Sequence, residues 1–92
     1  MAKPIEQVMN VRADTDPSNL GSSVAYAVFD GKQVTLRAVG ANAVNRAVKS
    51  IVIANGYVSQ RGMILTIRPG FIEAEMPDHE VITGISLRIV VD

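Results

Sequence analysis

Residues 37–56, RAVGANAVNRAVKSIVIANG, hold the end of one strand, a glycine and the most regular apolar helix pattern of the chain. From Ala41 to Asn55 the side chains of Val44, Ala47, Val48, Ile51 and Val52 fall on one stripe, which predicts an amphipathic helix with that stripe turned to a core. Asn55 and Gly56 tolerate the left-handed turn that closes a helix, so the helix is expected to stop there. Gly40 separates it from Val34 to Val39. In that segment Val34, Leu36 and Ala38 alternate with Thr35, Arg37 and Val39, the pattern of a strand wet on one side.

Upstream, Val8, Met9 and Val11 read as a first strand, with Met9 and Val11 facing one way and Asn10 and Arg12 the other. Asp14, Thr15, Asp16, Pro17 and Ser18 are turn and cap residues. After them Leu20, Val24, Ala27 and Val28 repeat at helical spacing until Asp30 and Gly31. Gly21, Ser22 and Ser23 are poor helix formers and weaken this helix. Downstream, Met63, Leu65 and Ile67 alternate with Ile64, Thr66 and Arg68. Pro69 and Gly70 are expected to interrupt the ladder before Phe71 to Met76 resumes it, giving one bent strand. Pro77 to Glu80 make a polar turn, after which Val81, Ile85, Leu87, Ile89 and Val91 take one face and Gly84, Ser86 and Arg88 the other. The end of that last strand, Leu87 to Val91, is a candidate edge for pairing with a neighbour. The order is strand, helix, strand, helix, strand, strand: an α+β chain, with no repeat or linker to divide residues 1–92 into more than one domain.

Composition narrows the function. Hydrophobic residues make up 48% of the 92 residues and aromatics 4%, so the core must be built from Val, Ile, Leu, Met and Ala. The mean hydropathy of +0.23 is high for so short a chain. Apolar surface that one small core cannot hide is commonly hidden against another copy, so a homodimer or larger homo-oligomer is expected. Nine Lys and Arg balance nine Asp and Glu, and any nucleic-acid role must therefore rest on local patterning. The lack of cysteine removes thiol nucleophiles and thiolate metal sites and fits a reducing cytoplasm. No export signal and no membrane span is expected, because no apolar run reaches the length of about 18 residues that a span needs.

Enzyme chemistry finds little to work with. His79 stands alone between Asp78 and Glu80 on the hairpin turn, without the converging ligands or nucleophile that a metal or acid–base site needs. Gly40 and Gly56 do not form a phosphate loop, and no paired carboxylates stand at a catalytic spacing. The chain is expected to act by binding, with no cofactor and no small-molecule substrate.

The run from Gly40 through Ala43, Val44, Asn45, Ala47, Val48, Lys49, Ile51, Ile53, Ala54 and Gly56 resembles the stage V sporulation protein S family, in which a strand ending in an AIG-like turn leads into an ALNQAVKAIAIARG-like helix. Tyr57 and Val58 continue the match. The Val11 to Pro17 to Val24 segment is similar to that family's VSAKSSPNSV-like approach to its first helix, and the likeness extends more loosely to the C-terminus. The family is related to the Alba nucleic-acid-binding proteins, whose second helix carries a similar Ala-Ile-x-x-Ala-Val pattern. The resemblance implies an Alba-like βαβαββ fold, a mixed four-stranded sheet with two helices on one face, a dimer, and a surface that binds DNA or RNA. Two departures stand against simple transfer. This chain has Asp14 and Asp16 where the family's loop usually presents a lysine before the proline, and its hairpin bears Glu73, Glu75, Asp78 and Glu80, which would repel phosphate.

If the core faces are as assigned, Arg12, Thr35, Arg37, Thr66, Arg68, Ser86 and Arg88 emerge together on the opposite face of the sheet. Arginines among short hydroxylated side chains suit phosphates held without base readout. Alternate exposed strand positions are also charged for solubility alone, and arginines on four strands need not cluster. Arg46 and Lys49, three apart on the second helix, either reach a phosphate or form a solvated flank. The candidate nucleic-acid-binding set is therefore Arg12, Arg37, Arg46, Lys49, Arg68 and Arg88. Asn42 is expected to hydrogen-bond at the helix start, and Tyr26 and Tyr57 to pack half-buried beside apolar runs. Two functions remain open: a dimeric nucleic-acid-binding regulator, and a self-assembling scaffold or protein-interaction module that has lost nucleic-acid binding.

Overall fold

A computed structural model describes residues 3–92; Met1 and Ala2, the first two residues of the expected domain, lie outside them. The elements follow in the expected order: β1 (Glu6–Val11), α1 (Pro17–Phe29), β2 (Gln33–Ala38), α2 (Ala41–Val58) with a short 3-10 turn over Ser59–Arg61, β3 (Leu65–Glu75) and β4 (Val81–Val91). The strands form one mixed sheet ordered β1-β2-β4-β3, with β1 and β2 parallel and the other neighbours antiparallel. α1 links the parallel pair, as a crossover must. This is the α+β, Alba-like arrangement.

The core lies between one sheet face and the two helices. Val11, Val34, Leu36, Ala38, Leu65, Leu87 and Ile89 are buried on that face, beneath Leu20, Val24 and Val28 of α1 and Ala43, Ala47, Ile51, Ala54 and Val58 of α2. Asp16 caps α1, its carboxylate accepting the Ser18 N–H at 2.8 Å, and Pro17 occupies the first turn where no N–H is required. Gly21, a poor residue for helix propensity, is what lets the helices touch. A Cβ there would stand 2.7 Å from Ile53 Cγ2 and 3.0 Å from the Ser50 carbonyl oxygen.

Three expectations about α2 are corrected. The helix does not stop at Asn55 and Gly56 but runs on to Val58, whose side chain is wholly buried, and it is Gly62, at φ 77°, that takes the left-handed residue. Its buried stripe is Ala43, Ala47, Ser50, Ile51, Ala54 and Val58, whereas Val48 and Val52 are exposed. Small side chains face inward because α2 must approach both the sheet and Gly21 closely. Asn42 makes no cap either: the helix starts from Gly40 without any side-chain hydrogen bond. Nor are both tyrosines half-buried, since Tyr26 is 72% exposed.

The last two strands also differ from expectation. β3 is unbroken, with Pro69 opposite Leu87 and Gly70 opposite Ser86 in continuous register. Ile64 and Asp92 exchange two backbone hydrogen bonds (3.1 and 2.9 Å), so the alternation of an antiparallel ladder turns even-numbered residues of β3 to β4 and odd ones to the free edge. Pro69 therefore lacks an N–H only where none is needed. β4, expected as an edge, is flanked by β2 and β3; the edges are β1 and β3. At the start of β3 the Asn55 amide seals the edge, accepting from Leu65 N–H at 2.8 Å and donating to its carbonyl at 3.2 Å.

Candidate nucleic-acid interface

On the face of the sheet that carries no helix, side chains are set in cross-strand rows. One row runs Val8, Thr35, Arg88, Arg68; the next runs Asn10, Arg37, Ser86, Gly70. Arg68 and Arg88 are directly opposite in a hydrogen-bonded pair, a position where Cα atoms lie about 5.5 Å apart. Like charges so placed destabilise a sheet. Among the described residues the Arg12 guanidinium lies 3.9 Å from the Asp14 carboxylate, and the Glu75 carboxylate meets the His79 imidazole Nδ1 at 3.0 Å. No carboxylate of the described residues therefore lies within 4.0 Å of the Arg37, Arg68 or Arg88 charge. Gly70 and Ser86 beside them add little side-chain bulk; Arg68 and Arg88 are exposed and Arg37 is half-buried.

The structure thus brings Arg37, Arg68 and Arg88 together with Thr35 and Ser86. It does not bring all six candidates together. Arg12 lies one residue past β1, at the end of the sheet, where it shares a hollow with Arg37, Val39 and, from β3, Glu73 and Glu75. Its backbone N–H is held by the Thr15 hydroxyl at 2.8 Å. Arg46 stands on α2, half-buried, and its Nη1 donates to the Thr15 carbonyl at 3.0 Å, tying the β1–α1 loop to the helix layer. Lys49 is exposed on α2 beside Val48, Val52 and Pro17. These two lie on the helix layer, across the sheet from the arginine rows. The loop carboxylates also have occupations: Asp16 caps α1 and Asp14 faces Arg12.

Sequence reading missed the neighbours that extend this patch. At the start of β2, Lys32 and Gln33 join Arg68, Arg88, Pro4 and Val90 around a cleft of about 420 Å³. An adjoining hollow of about 400 Å³ adds Lys3 and Glu6. Gln33 is fixed there, its Nε2 donating to the Ile89 carbonyl at 2.7 Å and to its neighbour Val34 at 3.3 Å. Lys32, next to Gly31, reads in sequence as the tail of a helix stop; only its adjacency to β4 reveals it as part of a charged cluster. No helix of the described residues is long and apolar enough to cross a membrane.

The model of one family, described as stage V sporulation protein S (SpoVS), matches residues 7–92. That span takes in both arginine rows, the helices and the whole hairpin, and on it this chain belongs to the stage V sporulation protein S family.

Proposed function

We propose that this sporulation-family protein is a non-catalytic, cytoplasmic regulator that holds the phosphate backbone of DNA or RNA on its helix-free sheet face, largely without reading sequence. The observation that carries the reading is the facing pair Arg68 and Arg88, with Arg37 one row away and no carboxylate of the described residues in ion-pair range. A sheet that spends stability on opposed, unpaired arginines gains it back when a phosphate lies between them. Short hydroxyl side chains around the pair supply further donors for phosphate oxygens and no extended arm for base edges. Arg12 extends the surface at one end. Arg46, already bonded to Thr15, contributes field more than contact, and Lys49 serves a phosphate only if the nucleic acid wraps to the helix layer. The protein acts as a homodimer or larger homo-oligomer of a bacterial chain.

The test is titration with labelled duplex and single-stranded DNA and RNA at rising salt, for wild type and the Arg37→Ala, Arg68→Ala, Arg88→Ala triple variant. Binding should fall with salt, and the variant should flatten the slope by about three if each arginine holds one phosphate. Absence of binding at low salt sinks the reading. The alternative is a self-assembling scaffold or protein-interaction module on the same fold. It is favoured by apolar side chains left bare, Phe71 at 82% and Val52 at 66% exposure among them. Association through such surfaces would tolerate salt or be strengthened by it.

A further inference from the structure

The β3–β4 hairpin runs past the end of the helices, and its two faces differ. Even-numbered positions of β3 share the arginine face; odd-numbered ones share the helix side, where Phe71, Glu73 and Glu75 are exposed. Val81, opposite Glu75, and Thr83, opposite Glu73, complete that surface and are exposed as well. Residues 69–87 hold four of the nine acidic residues, Glu73, Glu75, Asp78 and Glu80, and none of the nine basic ones. At the other end of the same two strands lies the cleft lined by Lys32, Arg68 and Arg88, with apolar walls from Pro4 and Val90. Charge is therefore uneven along β3 and β4, acidic toward the hairpin turn and arginine-bearing toward the cleft.

We propose that the bare helix-side surface of the hairpin, with Phe71 between its carboxylates, docks in the Lys32–Arg68–Arg88 cleft of a second copy of this chain. The occupant follows from complementarity: Glu73 and Glu75 supply the counter-charges that Arg68 and Arg88 lack, and Pro4 and Val90 supply apolar cover for Phe71. Donor and acceptor surfaces sit at opposite ends of β3 and β4, so a copy whose hairpin is docked still presents its own cleft. A contact of that kind joins copies through unlike ends, growing head to tail unless two antiparallel copies engage reciprocally. The acceptor residues are also those proposed to hold phosphate, so self-docking and backbone binding exclude one another at Arg68 and Arg88. The docking goes beyond the nucleic-acid reading and does not depend on it.

The experiment is sedimentation velocity of the full chain, free of nucleic acid, at low and high salt. Wild type is compared with Glu73→Lys/Glu75→Lys, with Arg68→Glu/Arg88→Glu, and with an equimolar mixture of the two. Wild type should form larger species at low salt that dissociate at high salt. Each reversal variant should lose those species, with apparent association weakened about tenfold or more, since two attractive pairs become repulsive. The mixture should regain them, because each variant then presents what the other needs. All four positions are exposed, and circular dichroism verifies folding; Phe71→Ser, which leaves every charge in place, should weaken assembly as well. A wild type without salt-sensitive assembly, reversal variants that assemble like wild type, or a mixture that stays dissociated overturns the proposal. Assembly without any binding to duplex in the separate titration would remove the backbone reading and leave this one standing.

Discussion

The strands β3 and β4 run through two environments. Near Leu65, Leu87 and Ile89 they lie under α2 and are buried to 5% exposure or less, whereas six to ten residues further along β3 Phe71 and Glu75 face solvent on the same side of the same ladder. The hydrogen-bond register does not change between them. What changes is the helix layer, which ends. A ladder alone leaves a hairpin marginal in water, so the covered half must carry the fold while the bare half is held out by it. Stability and surface chemistry are thereby assigned to different parts of one element, and substitutions in the two parts should behave differently.

The largest effect is expected from the covered half. Leu36, wholly buried on β2 opposite Leu87, should cost about 2–5 kcal/mol as Leu36→Ala, read from the shift of the urea midpoint at constant slope. Gly21→Ala should cost about 1–3 kcal/mol, because the new Cβ meets Ile53 and the Ser50 carbonyl and forces the helices apart. A neutral or stabilising outcome in thermal unfolding, as ordinary helix propensity would give, breaks that account. Asn55→Ala removes both hydrogen bonds to Leu65 and should cost about 1–2 kcal/mol, with faster amide exchange at Leu65 than at Thr66, whose N–H faces β4.

On the arginine face the sign should reverse. Arg88→Thr relieves the like-charge contact with Arg68 and should stabilise the chain by about 0.2–1 kcal/mol at low salt, the gain shrinking as salt is added. The smallest change belongs to the bare half. Phe71→Ser should leave monomer stability within about 0.5 kcal/mol, measured at a dilution where assembly is absent. A loss comparable to that of Leu36→Ala would mean the two halves are not energetically distinct.

Much of this division was legible in the chain, and the illegible part has a common cause. Alternation at Val34, Leu36 and Ala38, and helical spacing at Leu20, Val24 and Val28, report burial directly because the opposite positions are polar. Along α2 apolar residues lie nearly all round, from Ala43 through Ala54, and hydropathy alone picks the larger valines. The helix instead turns its alanines inward, since the limit there is the distance to Gly21 and the sheet. Asn55 and Gly56 look like a stop until Val58 is seen to need burial. Strand parity places Arg12, Arg37, Arg68 and Arg88 on one face of the sheet, one strand at a time. That Arg68 meets Arg88, and that Lys32 joins them while Arg46 and Lys49 do not, follows from β4 lying at the sheet centre and the helices lying on the other face, an order that no local pattern encodes.

The seal that Asn55 places over Leu65 limits how this protein can go wrong. Along the outer side of β3 the amide occupies Leu65 and Pro69 offers no donor, so a foreign strand finds consecutive open partners only at Phe71, Glu73 and Glu75. Two of those three carry negative charge, and a row of stacked identical copies would bring carboxylate against carboxylate. Amyloid-type growth from this border is therefore disfavoured from both directions, by blockage at one end and repulsion at the other. A chain rich in valine and isoleucine thereby has its longest open border guarded against seeding.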